Sequence, residues 1–520
     1  MVWHREKAWH AASVYPLRQA SLPDAESTKP ETTHPNPIMA NKTLFQSFVG
    51  SLLPKATTRN QAGAPAFALS PKHALAQYSV TGCLTPTFYA SAEAQLKEVL
   101  RLANNVDAAF VAKAALYCRT RGYMKDMPAL LCATLAVRDT AFLARVFDRV
   151  IDDGKMLRNF VQIVRSGAVG RKSLGSGPKR LVQRWFEQRD DDQVLRASVG
   201  QSPSLADVIK MVHPRPTSPA REALYGWLIG RPHQAEVLPP LVRQFEAFKL
   251  GHSKVAPEVP FQMLTSLDLK KAAWQSIAEV APWQMTRMNL NTFARHGVFD
   301  EKDLTRRIAN RLRDPHKVRK ARCFPYQLLT AYHSTDSAVP ATVRDALQDA
   351  MEIAIENVLA LDGQVYVCPD ISGSMHSPAT GHRKGGTTAT RCIDVAALVA
   401  AAVVRKNPDA EVLPFSDDVV RCQLNARDSV MTNAHKLASL PSGGTNCSAP
   451  LRRLNERRAV GDLVIIVSDN MSWVDGHGGG RSTATMQEWE KFRARNPRAR
   501  LVCLDIHRMA PPRRPSGPTS

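Results

Sequence analysis

The apolar pattern of this chain changes its period at Gly363, which limits the chain to two differently built parts. From about Thr43 to Leu361, apolar residues recur at helical spacing, with Pro, Gly or Asp between the runs; 92–103, 108–119, 141–151, 205–213, 221–229, 269–280 and 343–359 are examples. No strict internal period is visible, so irregular stacked helical pairs of the HEAT type are expected. After Gly363 the period shortens. A strand at 364–369 (QVYVCP) leads through a polar Gly/Ser loop into a helix at 392–405. Strands near 411–415 and 419–422, a helix near 429–440, and strands at 463–468 and 500–506 follow. Such alternation predicts a doubly wound parallel sheet. The fold class expected is therefore α + α/β, a division that 520 residues require because single cores stop growing near ~250–300.

In an open α/β sheet the loops at the carboxyl ends of the strands form the binding crevice. One predicted strand ends in Asp370-Ile-Ser372-Gly-Ser374 and a later one in Ser468-Asp469-Asn470, with the loop Ser442-Gly443-Gly444-Thr445-Asn446 between them. Asp370, Ser372, Ser374, Thr445 and Asp469 would bring five hard oxygen donors to one point, a set suited to Mg²⁺ (or Mn²⁺). This order of motifs resembles the metal-ion-dependent adhesion site (MIDAS) of von Willebrand factor A domains. Three of the five donors are neutral, so the ion would keep positive charge and an open position, which in such domains accepts a carboxylate from a partner. No second carboxylate cluster or placed His base accompanies it, which argues against a hydrolase; His376 and His382 are read as loop bystanders.

Lys and Arg number 69 against 47 Asp and Glu, a net charge of +22, which favours nucleic acid or an anionic surface. No apolar run reaches the ~18–20 residues of a membrane span, and the stretch 393–404 contains Asp394 and reads as a buried helix. The nine cysteines form no C-x-x-C pair, so reduced thiols and a cytoplasmic location are expected. Residues 1–38, with five prolines, read as a disordered leader, and 508–520 as a disordered tail. The Pro-rich sequence after Ile506 cannot supply the further strand and helix of an A domain, so a shortened domain with an exposed sheet edge or helix-packing face is expected.

Several stretches before residue 361 resemble the Ro ribonucleoprotein (TROVE-domain) family, bacterial type. They are Asn60-Gln-Ala-Gly63, Leu75-Ala-Gln-Tyr-Ser-Val-Thr-Gly-Cys83, Thr87-Phe-Tyr89, Asp207 to Pro214 (DVIKMVHP) and Pro282 to Gly297 (PWQMTRMNLNTFARHG). The resemblance covers about residues 41–506 and implies a TROVE-like helical region at 41–361 and an A-like domain at 362–507. It implies a ring of HEAT-like repeats closed by the A domain, with single-stranded RNA ends in a basic hole and small Y-like non-coding RNAs outside. RNA quality control or processing follows, beside an exoribonuclease such as polynucleotide phosphorylase; neither a membrane nor an oligomer is expected. His213 matches the family's small-RNA-associated histidine, and its other reading is a helix-end histidine before Pro214. Where relatives carry a basic motif ending in Gly-Trp-Ser, this chain has Arg196-Ala-Ser-Val-Gly-Gln-Ser-Pro203, and Ala206 replaces a common basic residue. Those departures count against small-RNA affinity, while single-strand binding in the hole remains the expectation.

Basic clusters supply the remaining candidates. Arg171, Lys172, Lys179, Arg180 and Arg184 surround a Gly/Ser loop that could follow a phosphate backbone. Arg119, Arg121 and Lys125 flank Tyr117 and Tyr123, which could stack on unpaired bases. Nine basic residues between Lys302 and Arg322 read as a solvated helix face. A non-enzymatic RNA-binding scaffold is the leading reading. A metal-dependent protein-binding adaptor with incidental RNA binding is the alternative, and a metal-dependent nuclease the third.

Overall fold

The computed structural model of the chain describes residues 12–13, 57–59, 65–66, 68–82, 84, 91–356, 358, 360–379, 390–469 and 483–506. The tail 508–520 and all of the leader 1–38 except Ala12–Ser13 lie outside the described residues, as do Asn60-Gly63, Cys83, Thr87-Phe-Tyr89, His382 and Asn470.

Two short strands, β2 (Thr58–Arg59) and β3 (Pro65–Ala66), pair antiparallel ahead of the helices. The punctuation between apolar runs then becomes helix caps. Asp107 accepts from the Phe110 N–H at 2.7 Å to start Ala108–Thr120, and Asp139 and Asp153 do the same for Thr140–Val150 and Gly154–Arg165. Asp190 and Ser204 complete capping boxes for Asp191–Ala197 and Leu205–Val212. The helix Asp126–Arg138 is buried from Met127 to Ala136 and packs on Ala108–Thr120, Thr140–Val150 and Gly154–Arg165. Ala108–Thr120 and Asp126–Arg138 thus each touch both the next helix and the one after it.

A period absent from the sequence appears in the hydrogen bonds between helices. Side-chain donors cap the last-turn carbonyls of an earlier helix from a nearly constant distance along the chain. Arg138 reaches Ala103 O, 35 residues back; Arg171 reaches Ala136 O, 35 back; Trp185 reaches Ile151 O, 34 back. Arg221 reaches Phe186 O, 35 back, and Arg311 reaches Ala278 O, 33 back. A helix ends with unsatisfied carbonyls and a partial negative charge, which a guanidinium fork meets on both counts. Part of the basic excess is therefore structural.

The α/β part is built on β4 (Val365–Pro369), β5 (Glu411–Val412), β6 (Leu463–Ser468) and β7 (Arg500–Asp505), all parallel, in the order β5-β4-β6-β7. Alternate residues face opposite layers. Val365, Val367, Ile465 and Val467 pack with the helices Cys392–Lys406 and Val430–Ala438, whereas Tyr366, Cys368, Val464 and Ile466 pack with Leu451, Leu454, Trp489 and Phe492. The strand expected at 411–415 is two residues long because Pro414 has no N–H, although Leu413 and Phe415 still donate to β4. No strand forms at 419–422, where only Val419 bridges to Phe415.

The outer edge of the sheet differs from expectation. A two-residue strand from the leader, β1 (Ala12–Ser13), pairs antiparallel with Leu504 and Cys503 of β7. The edge is therefore partly covered rather than exposed, and Ala12–Ser13 are not disordered. The chain also closes on itself, since Gln77 Nε2, on the helix Pro71–Thr81, donates to Asp505 Oδ2 at 3.0 Å. At the other seam Val430 N donates to Glu352 Oε1 at 2.8 Å, and the Thr330 and Thr390 hydroxyls meet at 2.7 Å. Among the described residues eight cysteines are free, and no helix is long and apolar enough to cross a membrane.

Close packing makes one testable point. A Cβ on Gly154 would sit 2.4 Å from Ala197 Cβ and 2.6 Å from its Cα. Gly154→Ala is expected to lower stability by about 1–3 kcal/mol in urea unfolding, despite alanine's better helix propensity; a stabilised variant would refute this packing.

Candidate metal centre and nucleic-acid surface

The carboxyl ends of β4 and β6 sit side by side, because Asp370 N donates to Val467 O at 2.8 Å. That register buries Asp370 and Asp469 completely, together with Ser372 and Thr445. The Asp370 carboxylate accepts from Ser372 N at 2.8 Å and from the Ser468 hydroxyl at 2.5 Å. The hydroxyls of Ser372 and Ser374 lie 3.4 Å apart. Gly373 N donates to Gly443 O at 3.0 Å and so brings the Gly-rich loop, with Thr445, against the Asp-x-Ser-x-Ser turn. Asp417 holds that loop from outside by accepting from Gly444 N at 2.9 Å. A side chain on Gly443 would strike Asp417 Oδ2 at 2.3 Å, so the close approach requires glycine there.

Burial first, and then the neighbouring Asp469 carboxylate, push the Asp370 carboxyl up to about 7. A cation is the natural remedy for two carboxylates buried in this way. The residues fit such an ion: the donors are all oxygens, and among the described residues no group of three or more His, Cys, Asp or Glu offers a softer site. His376, in the same loop, has its Nδ1 engaged by Arg391 Nη1 at 3.0 Å, and Arg391 in turn holds Asp394 at 2.8 Å.

The basic candidates divide by what they touch. Arg119 is an internal tie, bound to Asp152 at 2.6 and 2.9 Å, Asp153 at 3.1 Å and Met124 O at 3.1 Å. Arg171 caps Ala136, and Arg184 pairs with Asp148 at 2.9 Å. These three contacts hold the fold together, a use that sequence alone did not separate from phosphate binding. Arg121, Lys125, Lys172, Arg180 and His213 are exposed and Lys179 is half-buried. Gln183 Nε2 donates to Val212 O at 2.7 Å, and Arg165 Nη1 lies 3.0 Å from Met211 Sδ. His213 therefore follows directly on residues that meet Arg165 and Gln183, and Gln183 lies one helical turn from Lys179. Its left-handed backbone, φ +51°, ends the helix Leu205–Val212 and turns the ring outward.

A second grouping was invisible in the sequence. Tyr123 is 48% exposed, and its hydroxyl lies 3.5 Å from Arg322 Nη1, 199 residues away. Phe324, 46% exposed, stacks on Tyr326 two residues beyond that arginine. An exposed tyrosine and an arginine from distant parts of the chain thus meet, and the exposed Phe324 follows two residues after that arginine. The rest of the 302–322 cluster is largely paired, through Arg306–Asp303, Arg307–Glu279, Arg313–Asp349 and Arg319–Glu356, as a solvated face would be.

Comparison with known proteins agrees with this layout. The TROVE domain family matches residues 249–360, and the Ro60 vWA domain family matches residues 364–504. The chain is 25% identical over 492 residues to the RNA-binding protein RO60 of Deinococcus radiodurans, covering 86% of this chain and 88% of that one. It is 25% identical over 239 residues to the RNA-binding protein RO60 of Caenorhabditis elegans, covering 43% and 34%. The crystal structure of the Deinococcus radiodurans RO (RSR) protein has the same fold, with a TM-score of 0.61 at 21% identity over 83% of this chain and 92% of that one. The chain therefore carries a segment matching the TROVE domain at 249–360, followed by a segment matching the Ro60 vWA domain at 364–504.

Proposed function

We propose that this protein is a non-enzymatic RNA-binding scaffold that holds single-stranded RNA ends, and that its vWA domain binds Mg²⁺ through Asp370, Ser372, Ser374, Thr445 and Asp469. The observation that carries the RNA reading is the meeting of exposed Tyr123 with Arg322, which offers an unpaired base a ring beside a guanidinium, with exposed Phe324 two residues further along the chain. The RNA-binding names of the two relatives and the net charge of +22 support it. Arg165, Lys179, Arg180 and His213 form a second basic surface suited to phosphates of a small structured RNA. When bound, the metal supplies a positive charge with a position open to an oxygen of a protein partner, and the chain's residues hold it in a dry crevice.

A short RNA duplex with a single-stranded 3′ tail provides the test, titrated from low to physiological salt. Binding is expected to need the tail and to weaken linearly in log salt. The double substitution Tyr123→Ala with Phe324→Ala should cost about tenfold or more in affinity, since each stacked base contributes ~1–3 kcal/mol. Tail-independent binding, or an unchanged affinity in the double variant, would remove the reading. The adaptor reading is favoured by the buried, largely neutral donor set; Mg²⁺-dependent capture of a protein that survives ribonuclease treatment would select it.

A further inference from the structure

We infer that the vWA domain carries a second ligand site, for a phosphate-bearing anion, at the end of the domain remote from the metal crevice. Helix Cys392–Lys406 begins beside the metal loop, where Arg391 engages His376, and ends at Arg405. Fifteen residues separate the two ends by about 22 Å. At the far end lies a broad, open hollow of about 1010 Å³, lined by Arg405, Arg427, Lys436, Gln423, Asn425 and Leu424 among others, none of them acidic.

The hollow is built rather than accidental. Arg405 Nη1 is held by the carbonyls of Ala426, Arg427 and Asp428 at 2.9, 3.1 and 3.5 Å, and Lys436 Nζ is held by Gln423 O. These ties fix two cations and the 423–427 segment in one arrangement. The Arg427 side chain has no partner among the described residues and stands exposed at the rim. Three cations and two side-chain amides with no lining carboxylate match the donor needs of phosphoryl oxygens, which take charge-assisted hydrogen bonds from several directions. The ligand's phosphate comes either from an RNA backbone or from a free phosphate compound. Arg405 also lies 3.6 Å from Glu352 of the helical region, so an anion here bears on the seam between the two parts.

Tripolyphosphate binding to the full-length protein tests the site, by titration calorimetry at about 0.15 M salt. The pocket variant is Arg427→Ala with Lys436→Ala. The control is Arg453→Ala with Arg493→Ala, which removes equal charge from exposed positions elsewhere in the domain. Loss of two charge-assisted contacts predicts at least a roughly tenfold fall in affinity for the pocket variant and less than about twofold for the control. Arg427→Ala alone replaces the double variant if the latter does not fold. A labelled single-stranded oligouridylate then separates the sources. Displacement of this RNA by tripolyphosphate, weakened in the pocket variant, identifies RNA backbone; RNA binding unaffected by either identifies a free phosphate ligand. No tripolyphosphate binding, or an equal loss in the control, overturns the inference, whatever the RNA affinity of the helical region.

Discussion

Asp370→Ala is expected to abolish all stabilisation by Mg²⁺, whereas the unaltered protein should melt higher as Mg²⁺ rises. At about one hundred times its Kd, the ion adds ~2.7 kcal/mol to the folded state. The pH dependence carries more information than the melting shift alone. The folded protein keeps a proton on Asp370 up to about pH 7, while the unfolded chain releases it near the usual 3.8. Between those values the folded state binds more protons, so metal-free stability should fall as pH rises and level off above about 7, a loss on the order of a few kcal/mol. Mg²⁺ must displace that proton, so its affinity should rise about tenfold per pH unit below 7 and become flat above it. Asp370→Asn removes one of two buried charges and should be more stable than the unaltered metal-free protein at pH 8, yet indifferent to Mg²⁺. Scanning fluorimetry across pH 5 to 8 with and without Mg²⁺ separates these outcomes. A Mg²⁺ shift retained by either variant would place the ion elsewhere.

The crevice at the carboxyl ends of β4 and β6 was legible because its elements are local. Each donor sits within a few residues of a strand end or a glycine turn, and the strand β6 (LVIIVS) reads directly from its apolar run. Helix starts were legible for the same reason, since Asp107, Asp139, Asp153, Ser204 and Ser218 each cap the residues that follow. The helix Ala484–Arg495 went unread because its sequence is mostly polar; only Trp489 and Phe492 are buried in it, and they anchor it to the sheet. The leader read as disordered for want of apolar content, yet a strand edge needs only backbone N–H and C=O groups from its partner, and Ala12–Ser13 supply them.

What sequence could not divide was the positive charge. Arg119, Arg138, Arg171, Arg221 and Arg311 look like any other basic residue, and their use is decided by carbonyls and carboxylates some 30 residues distant. Arg322 gains its place from a residue 199 positions earlier, so no window along the chain could join it to Tyr123.

Arg221→Ala is expected to be among the most damaging single changes in the helical region. The side chain is only 4% exposed, with Nε on Asp191, Nη1 on Phe186 O at 3.0 Å and Nη2 on Arg189 O at 2.6 Å. Alanine would leave a carboxylate and two helix-end carbonyls without their donor, and breaking such a buried pair typically costs ~3–5 kcal/mol. Arg221→Lys keeps the charge but cannot span three acceptors, so it should recover only part of that loss. The damage should be directional as well as large. Hydrogen exchange is expected to rise in Ser176–Glu187 and Asp191–Ala197 before the vWA domain is affected. Because Ser176–Glu187 carries Lys179 and Arg180, RNA affinity should fall along with protection there, although Arg221 touches no RNA surface. A loss below about 1 kcal/mol in urea unfolding would mean that water replaces the guanidinium at little cost, and that the recurring caps merely accompany the helix packing. A loss in the expected range, confined at first to these two helices, would make the caps a cause of the packing, and the 33–35-residue spacing of such donors the period on which the helical region is built.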